Sequence, residues 1–351
     1  MQEGHKILRQ LSVVMPFYNR EAWLPDTLRS IEQSPMWPGV LLFVDNGSTD
    51  KSRDLCAQTV RHMEKEIDAR ILSCPRRGAT AARNYGLSEV TTEWVYFFDS
   101  DDLWSADFLT DMGSLLPSHA KEEGPAVNVF AFRTNIVTDG GGRIVKKVSF
   151  SQHPAPQILL SHLATQNMCM RTSFVREIGG WRDDLSYHND WELGVRATIA
   201  MQGGHHGTLS WLKDKVYHTV RIHSDSITGT GGFAARYHDL LAALAAVRDD
   251  IGKADDKPDG PSHQTVETIS AAAGRCRQSL LAALSLREAI LAGHLRREGA
   301  AAEAKALLRE ARRDSGRWFV TMWGRLAYQY VRRGGRGANR LMLAVWRWLY
   351  A

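Results

Sequence analysis

The chain has 351 residues, 44% hydrophobic and 24% charged, with 29 Gly and 11 Pro, an ordinary globular composition that excludes collagen-like, low-complexity and wholly disordered chains. Its length suits one large domain with an appendage, or two domains. The net charge of +5 is uneven, with +9 in residues 296–351 and −4 in the remainder, so an acidic body carries a basic end suited to an anionic surface.

The apolar run at residues 11–15, ended by Pro16, predicts a buried strand. Residues 21–33 place Ala22, Leu24, Leu28 and Ile31 near helical spacing, and residues 40–44 read as a second strand stopped by the turn-forming Asp45-Asn46-Gly47-Ser48-Thr49-Asp50. A helix to about Glu66, a strand at residues 70–73, a helix at 80–90 and a fourth strand at 94–98 follow. Strands and helices alternating in this way predict right-handed crossovers and a mostly parallel sheet flanked by helices. Residues 127–137 and 143–150 flank Asp139-Gly140-Gly141-Gly142, a hairpin signal; a helix is expected near Asn189 and a late strand at 211–222. Beyond Gly232 the sequence turns Ala- and Leu-rich, with a solvated linker expected at 249–263 and an antiparallel helical pair at 265–313.

Parallel sheets bind ligands at the carboxyl ends of their strands. There the sequence places Asn19, Asp45, Asn46 and the run Asp99-Ser100-Asp101-Asp102. Three carboxylates in four residues repel one another, and a hard divalent cation, Mn²⁺ or Mg²⁺, relieves that repulsion with oxygen ligands. The competing reading is a helix N-cap cluster ahead of residues 103–112. Cys56, Cys74, Cys169 and Cys276 lack metal-ligand spacing, so neither a zinc site nor a disulfide framework is expected. Residues 1–10 lack the apolar core of a signal peptide and no apolar run reaches spanning length, so a cytoplasmic chain is expected, with the inner membrane face as a candidate location.

Four ordered segments, Leu11-Ser-Val-Val-Met-Pro-Phe-Tyr-Asn19, Val44-Asp-Asn-Gly-Ser-Thr-Asp50, Gly78-Ala-Thr-Ala-Ala-Arg-Asn-Tyr-Gly86 and Phe97-Phe-Asp-Ser-Asp-Asp102, resemble the nucleotide-binding half of the family-2 glycosyltransferases, inverting enzymes of the GT-A fold. Gly179-Gly-Trp181, Asn189-Asp190-Trp-Glu-Leu and Arg221-Ile-His223-Ser resemble that family's acceptor-side motifs. The resemblance implies a Rossmann-like nucleotide-diphospho-sugar transferase domain over residues 1–230, with a nucleotide half at about 11–115 and an acceptor half at about 116–230, followed by a helical region at 231–351. It implies that Pro16, Tyr18 and Asp45 line the nucleobase pocket and that Arg83 lies near the nucleotide or diphosphate. It further implies that Asp99 and Asp101 form the DxD motif, with Ser100 between them, and that Asp101, Asp99 and His223 hold Mn²⁺ or Mg²⁺. Asp190 matches the general base, with Glu192 as its competitor, while Trp181 and His188 fall on the acceptor side. His205 and His206 read as solvent-facing.

The implied reaction moves one sugar from a nucleotide diphosphate sugar, a UDP-sugar favoured, to a hydroxyl of a glycan or lipid-linked acceptor in polysaccharide biosynthesis. Two alternatives stand: a non-catalytic sugar-nucleotide-binding scaffold and a nucleotidyltransferase, although Pro16-Phe-Tyr-Asn-Arg20 is not the Gly-rich basic loop the latter uses. Asn46 and Asn189 stand where the family often carries acidic residues, and Asp314-Ser-Gly-Arg317-Trp318 only approximates a motif of processive synthases. Residues 317–323 and 341–350 mix Trp, Leu, Met and Arg, the composition of interfacial helices on anionic membrane, or of helices packing their Trp residues onto protein; nucleic acid is not an expected partner.

Overall fold

The computed structural model describes residues 5–119, 126–138, 142–145, 150–202, 207–223, 232–253, 263–315 and 318–350. In chain order the elements are β1 (Lys6–Phe17), α1 (Leu24–Glu32), β2 (Met36–Asp45), α2 (Ser52–Met63), β3 (Asp68–Ser73), α3 (Ala79–Ser88), β4 (Trp94–Phe97), β5 (Leu103–Trp104), α4 (Asp107–His119), β6 (Val127–Thr138) and β7 (Arg143–Val145). These are followed by α5 (Pro154–Leu160), β8 (Met168–Arg171), α6 (Thr172–Glu177), α7 (Asn189–Ala200), β9 (Thr208–Ile222), α8 (Tyr237–Lys253), α9 (His263–Arg297), α10 (Ala301–Asp314), α11 (Trp318–Arg332) and α12 (Ala338–Tyr350).

The described strands form one sheet, ordered β3-β2-β1-β4-β8-β6-β9-β5, with β7 on β6. The expected crossovers occupy β3-β2-β1-β4, which is parallel throughout. Beyond β4 the sheet is mixed: β8 runs antiparallel to β4 and β6, β5 antiparallel to β9, and β6 parallel to β9. The chain steps outward from β1 to β2 and β3 and then crosses back to β4 on the other side of β1, so the carboxyl end of β1 is the topological switch point where such sheets open a crevice. Pro16 fits there because β1 pairs with β4 only as far as Val14↔Phe97, and its missing N–H faces the opening instead of a ladder.

Helix α3 rides closely on this edge. A Cβ added to Gly86 would stand 2.4 Å from Val14 Cγ1 and 3.0 Å from Val44 Cγ2, so only glycine lets the helix approach β1 and β2 this tightly. Several element limits differ from expectation. Helix α1 starts at Leu24, with Pro25 in its first turn, where a missing N–H is tolerated. Helix α4 starts at Asp107 because Leu103 and Trp104 instead pair with Thr219 and His218 of β9. Residues 249–253 belong to α8, whose inner face buries Asp250 and Ile251. The hairpin turn residues 139–141, the remaining linker residues 254–262, and His205, His206, Ser224 and Arg317 lie outside the described residues.

Two compact units emerge. The first comprises Met1–Phe150, Leu163–Leu193 and Gly203–Gly229; the second comprises Ser151–His162, Gly194–Gln202 and Thr230–Ala351. The sequence suggests a division at residue 230; by compactness, 151–162 and 194–202 group with the C-terminal helices. Burial of Ala155, Ile158 and Leu159 of α5 and hydrogen bonds donated by Arg287 of α9 to the Ile158 carbonyl and Ser161 Oγ tie that first segment into the helical unit.

The second unit is organised around α9, against which α5, α10, α11 and α12 pack. Gly293 lets α11 come close, since a Cβ there would lie 2.7 Å from Val331 Cβ. Arg248 of α8 bridges Glu288 Oε1 at 2.5 Å and Asp314 Oδ2 at 2.7 Å. Burial pushes the Glu288 carboxyl up to about 8, against the pull of Arg248. Folding therefore favours protonated Glu288, and the associated stability is complete below the unfolded value of 4.5 and lost as pH rises through about 8. Glu288→Gln is expected to flatten the decline of Tm between pH 5 and 8; a decline as steep as the parent's in thermal melts would count against this assignment.

Candidate active site

A cleft of about 600 Å³ opens in the first unit at the switch point, lined among others by Pro16, Tyr18, Arg20, Asn46, Arg77, Arg83, Asp99, Ser100, Asp101, Gln166 and Arg221. Its floor is the loop after β4. Thr27 of α1 donates to the Ser100 carbonyl at 3.1 Å, and Arg221 of β9 donates to the Asp101 carbonyl, Thr27 Oγ1 and the Trp23 carbonyl. Asp102, the third carboxylate of the run, accepts from the Arg221 amide at 3.0 Å and contacts His218 Nε2 at 2.7 Å, and His218 Nδ1 is in turn hydrogen-bonded to the Tyr96 hydroxyl at 2.6 Å. Burial raises the Asp102 carboxyl to about 6 despite the His218 bond. Asp102 also borders the cleft, but its carboxyl is engaged as an anchor by the Arg221 amide and His218.

Asp99 and Asp101 have different company. Asp99 accepts from Arg83 Nη2 at 2.7 Å and from Gln166 Nε2 at 3.2 Å. Asp101 Oδ2 lies 3.3 Å from His223 Nε2 and 3.4 Å from Arg20 Nε. His223 is buried and stacks on Trp23, with ring centroids 3.9 Å apart. Asp101 and His223 therefore share one corner, while Asp99 is held on the Arg83 side. Among the described residues no cluster of three or more His, Cys, Asp or Glu forms a metal-ligating group. An oxygen–imidazole pair completed by substrate phosphates is nevertheless a donor set that fits Mn²⁺ or Mg²⁺, which commonly take only one or two protein ligands beside phosphate.

The opposite wall carries cations. The Arg77 guanidinium sits 4.7 Å from the Tyr18 ring centroid and donates to the Asn46 and Gly47 carbonyls. Asn46 in turn donates to the Arg76 carbonyl at 2.7 Å and accepts from the Gly78 amide at 2.8 Å, so this amide clasps the loop that leads into α3. A carboxylate at position 46 could not donate the first of these bonds. Asp45 is 6% exposed and is not part of the cleft lining; its oxygens accept from the Gly47 and Ser48 amides and from Arg53 at 3.0 Å. It shapes the turn beneath the cleft.

The acceptor-side residues Trp181, His188, Asp190 and Glu192 are not among the residues lining this cleft. Trp181 is buried, its ring 4.5 Å from the Arg83 guanidinium carbon. Asn84 accepts from the Trp181 amide and donates to its carbonyl, clasping this loop to α3. Arg182 donates to Glu192 Oε1 at 2.9 Å, joining the same loop to α7, and Glu192 is fully buried. Asp190, half-buried in the first turn of α7, accepts from the Trp191 amide at 2.8 Å. His188 adopts a left-handed backbone (φ 56°) and stacks on Tyr187. Sequence reasoning missed Arg20, Arg77 and Gln166 as cleft residues. Arg20 and Arg77 directly flank matched motifs and could have been found, whereas Gln166 arrives from a 3₁₀ turn with no local signal.

Residues 12–174 match the profile of glycosyl transferase family 2. The putative teichuronic acid biosynthesis glycosyltransferase TuaG of Bacillus subtilis (strain 168) is 36% identical over 104 residues, covering 28% of this chain and 38% of that protein. An uncharacterized glycosyltransferase of Haemophilus influenzae is 31% identical over 111 residues, covering 31% of this chain and 43% of the relative. The chain spans less than half the length of these curated relatives. Among solved structures, S. aureus TarS 1-349 aligns over 93% of this chain and 92% of its own, with 17% identity and a TM-score of 0.56. The same protein in complex with UDP-GlcNAc aligns with 16% identity and a TM-score of 0.55. These likenesses are of fold, a GT-A sheet with flanking helices and a helical C-terminal region.

Proposed function

Residues 12–174 belong to glycosyl transferase family 2, and from that premise we propose that the chain moves a single sugar, with inversion, from a nucleotide diphosphate donor to an acceptor hydroxyl of a cell-surface glycan. The observation that carries this reading is the convergence on one cleft of an aromatic–arginine wall at Tyr18 and Arg77, the Arg83–Asp99 pair and the Asp101–His223 corner. Tyr18 offers an exposed ring for a flat nucleobase, and Arg77, Arg83 and Arg20 supply forked donors for diphosphate oxygens. A UDP-sugar is the favoured donor, supported by the fold shared with a protein solved in complex with UDP-GlcNAc. Relatives named for teichuronic and minor teichoic acid biosynthesis support an acceptor of that surface-polymer class.

Inversion needs one in-line displacement at the anomeric carbon and therefore one base opposite the leaving group. Asp190 takes the acceptor proton in this reading, its position set through α7, the Arg182–Glu192 pair and the Asn84 clasp on α3. Asp101 and His223 would hold Mn²⁺ or Mg²⁺, which when bound neutralises charge developing on the departing diphosphate. Arg83 stabilises the same charge from the other side.

The test measures thermal shift and nucleoside diphosphate release with UDP-, GDP- and dTDP-sugars in the presence of Mn²⁺. One donor is expected to raise Tm by mass action and to be turned over on a polymer or lipid-linked acceptor pool. Binding without any release would assign a scaffold, and neither shift nor release with any donor would overturn the reading.

A further inference from the structure

Helices α11 and α12 of the second unit have two-sided character. Their inner faces bury Val320, Ala327 and Val331, and Met342, Leu343, Val345 and Trp346, the last donating its indole N–H to the Ser279 carbonyl at 2.8 Å. Their outer faces do not revert to ordinary polar surface. Trp318 (75% exposed), Met322 and Leu326 recur every four residues along α11, and Leu341 and Trp348 (78% exposed) lie two turns apart on α12. Interleaved with them are Arg325, Arg332, Arg333, Arg336, Arg340 and Arg347, while residues 318–350 contain no Asp or Glu. Exposed apolar side chains recurring along a helix face, with charge of a single sign beside them, mark an interaction surface.

We infer that this face of α11 and α12 lies on an anionic lipid bilayer, with the tryptophan and leucine side chains in the headgroup region and the arginines on lipid phosphates. Charge complementarity selects this occupant. A second copy of the chain, meeting the face symmetrically, would set arginines against arginines, whereas an anionic leaflet attracts every one of them. Length excludes insertion across the bilayer: α11 has 15 residues and α12 has 13, roughly 20 Å each, against a hydrocarbon core of about 30 Å. Among the described residues no helix is long and apolar enough to cross a membrane. The pattern is that of helices lying in the interfacial plane.

The inference stands apart from the transferase reading, and its test uses no substrate. The full chain is floated with vesicles of phosphatidylcholine alone and with 30% phosphatidylglycerol, at low and at 0.5 M salt. Binding is expected only to the anionic vesicles and is expected to fall with salt. Arg340→Gln with Arg347→Gln should weaken partitioning roughly 25-fold, at about fivefold per arginine. Leu326→Ser with Trp348→Ser should weaken it at least as much. All four side chains are on exposed positions, so Tm should stay that of the parent; salt dependence of the parent provides a readout without substitutions. Equal binding to neutral vesicles, salt-insensitive binding, indifference to both double substitutions, or a dimer that Trp348→Ser dissociates would overturn the inference.

Discussion

Asp101→Ala is expected to lower sugar transfer by at least about a thousandfold and to abolish Mn²⁺ binding, while donor affinity measured without metal changes little. The Asp101 carboxylate lies 3.3 Å from His223 Nε2 and 3.4 Å from Arg20 Nε, the corner assigned to the metal in the proposed reading. Asp99 cannot replace it, because Arg83 and Gln166 already engage both of its oxygens. Misfolding is a poor explanation for such a loss: the anchoring of this loop runs through Asp102, Arg221 and Thr27, and the Asp101 contribution to that anchoring is its backbone carbonyl. Isothermal titration with Mn²⁺ beside a diphosphate-release assay separates the two effects. Transfer retained within tenfold, with an unchanged metal response, would remove Asp101 from its role.

Asp190→Asn should lower kcat by about two to four orders of magnitude, with donor binding and Tm preserved. An amide keeps the bond accepted from the Trp191 amide, so the first turn of α7 is retained while the proposed proton acceptor is lost. The limb of the pH–rate profile that reports deprotonation of the base should vanish with it. Glu192 provides the contrast: it is fully buried and accepts from the half-buried Arg182, so Glu192→Ala should act first through stability, removing that pair and leaving a cavity. A kcat for Asp190→Asn near that of the parent, or a pH limb that persists, would place the base elsewhere.

Much of the nucleotide-binding half was readable along the chain. Apolar runs closed by Pro16, by the turn at Asp45 and by Asp99 mark strands whose carboxyl ends must share an edge, because parallel strands joined by crossovers present all those ends on one side. The acid run at residues 99–102 was legible as a site for the same reason. Its division of labour was not. The sequence presents three equivalent carboxylates, and only the arrival of His218 and Arg221 on β9 turns Asp102 into an anchor and leaves Asp101 beside His223. The company of Asp45, two amides of its own turn and Arg53, is likewise supplied by the fold.

Local patterning therefore determined the alternation of strands and helices, the edge on which chemistry gathers, and the basic aromatic character of the end of the chain. Those properties follow from periodicity and turn chemistry within a few residues of each position. Tertiary structure alone decided which Trp residues pack inward, Trp346 on Ser279, and which stay outside, Trp318 and Trp348; it also assigned α5 to the helical unit and brought Gln166 to Asp99. Each of these depends on contacts between segments tens to more than a hundred residues apart. Which partner meets a given side chain across such a separation is set by packing and hydrogen-bond satisfaction in the folded molecule, and nothing in the neighbouring sequence encodes it.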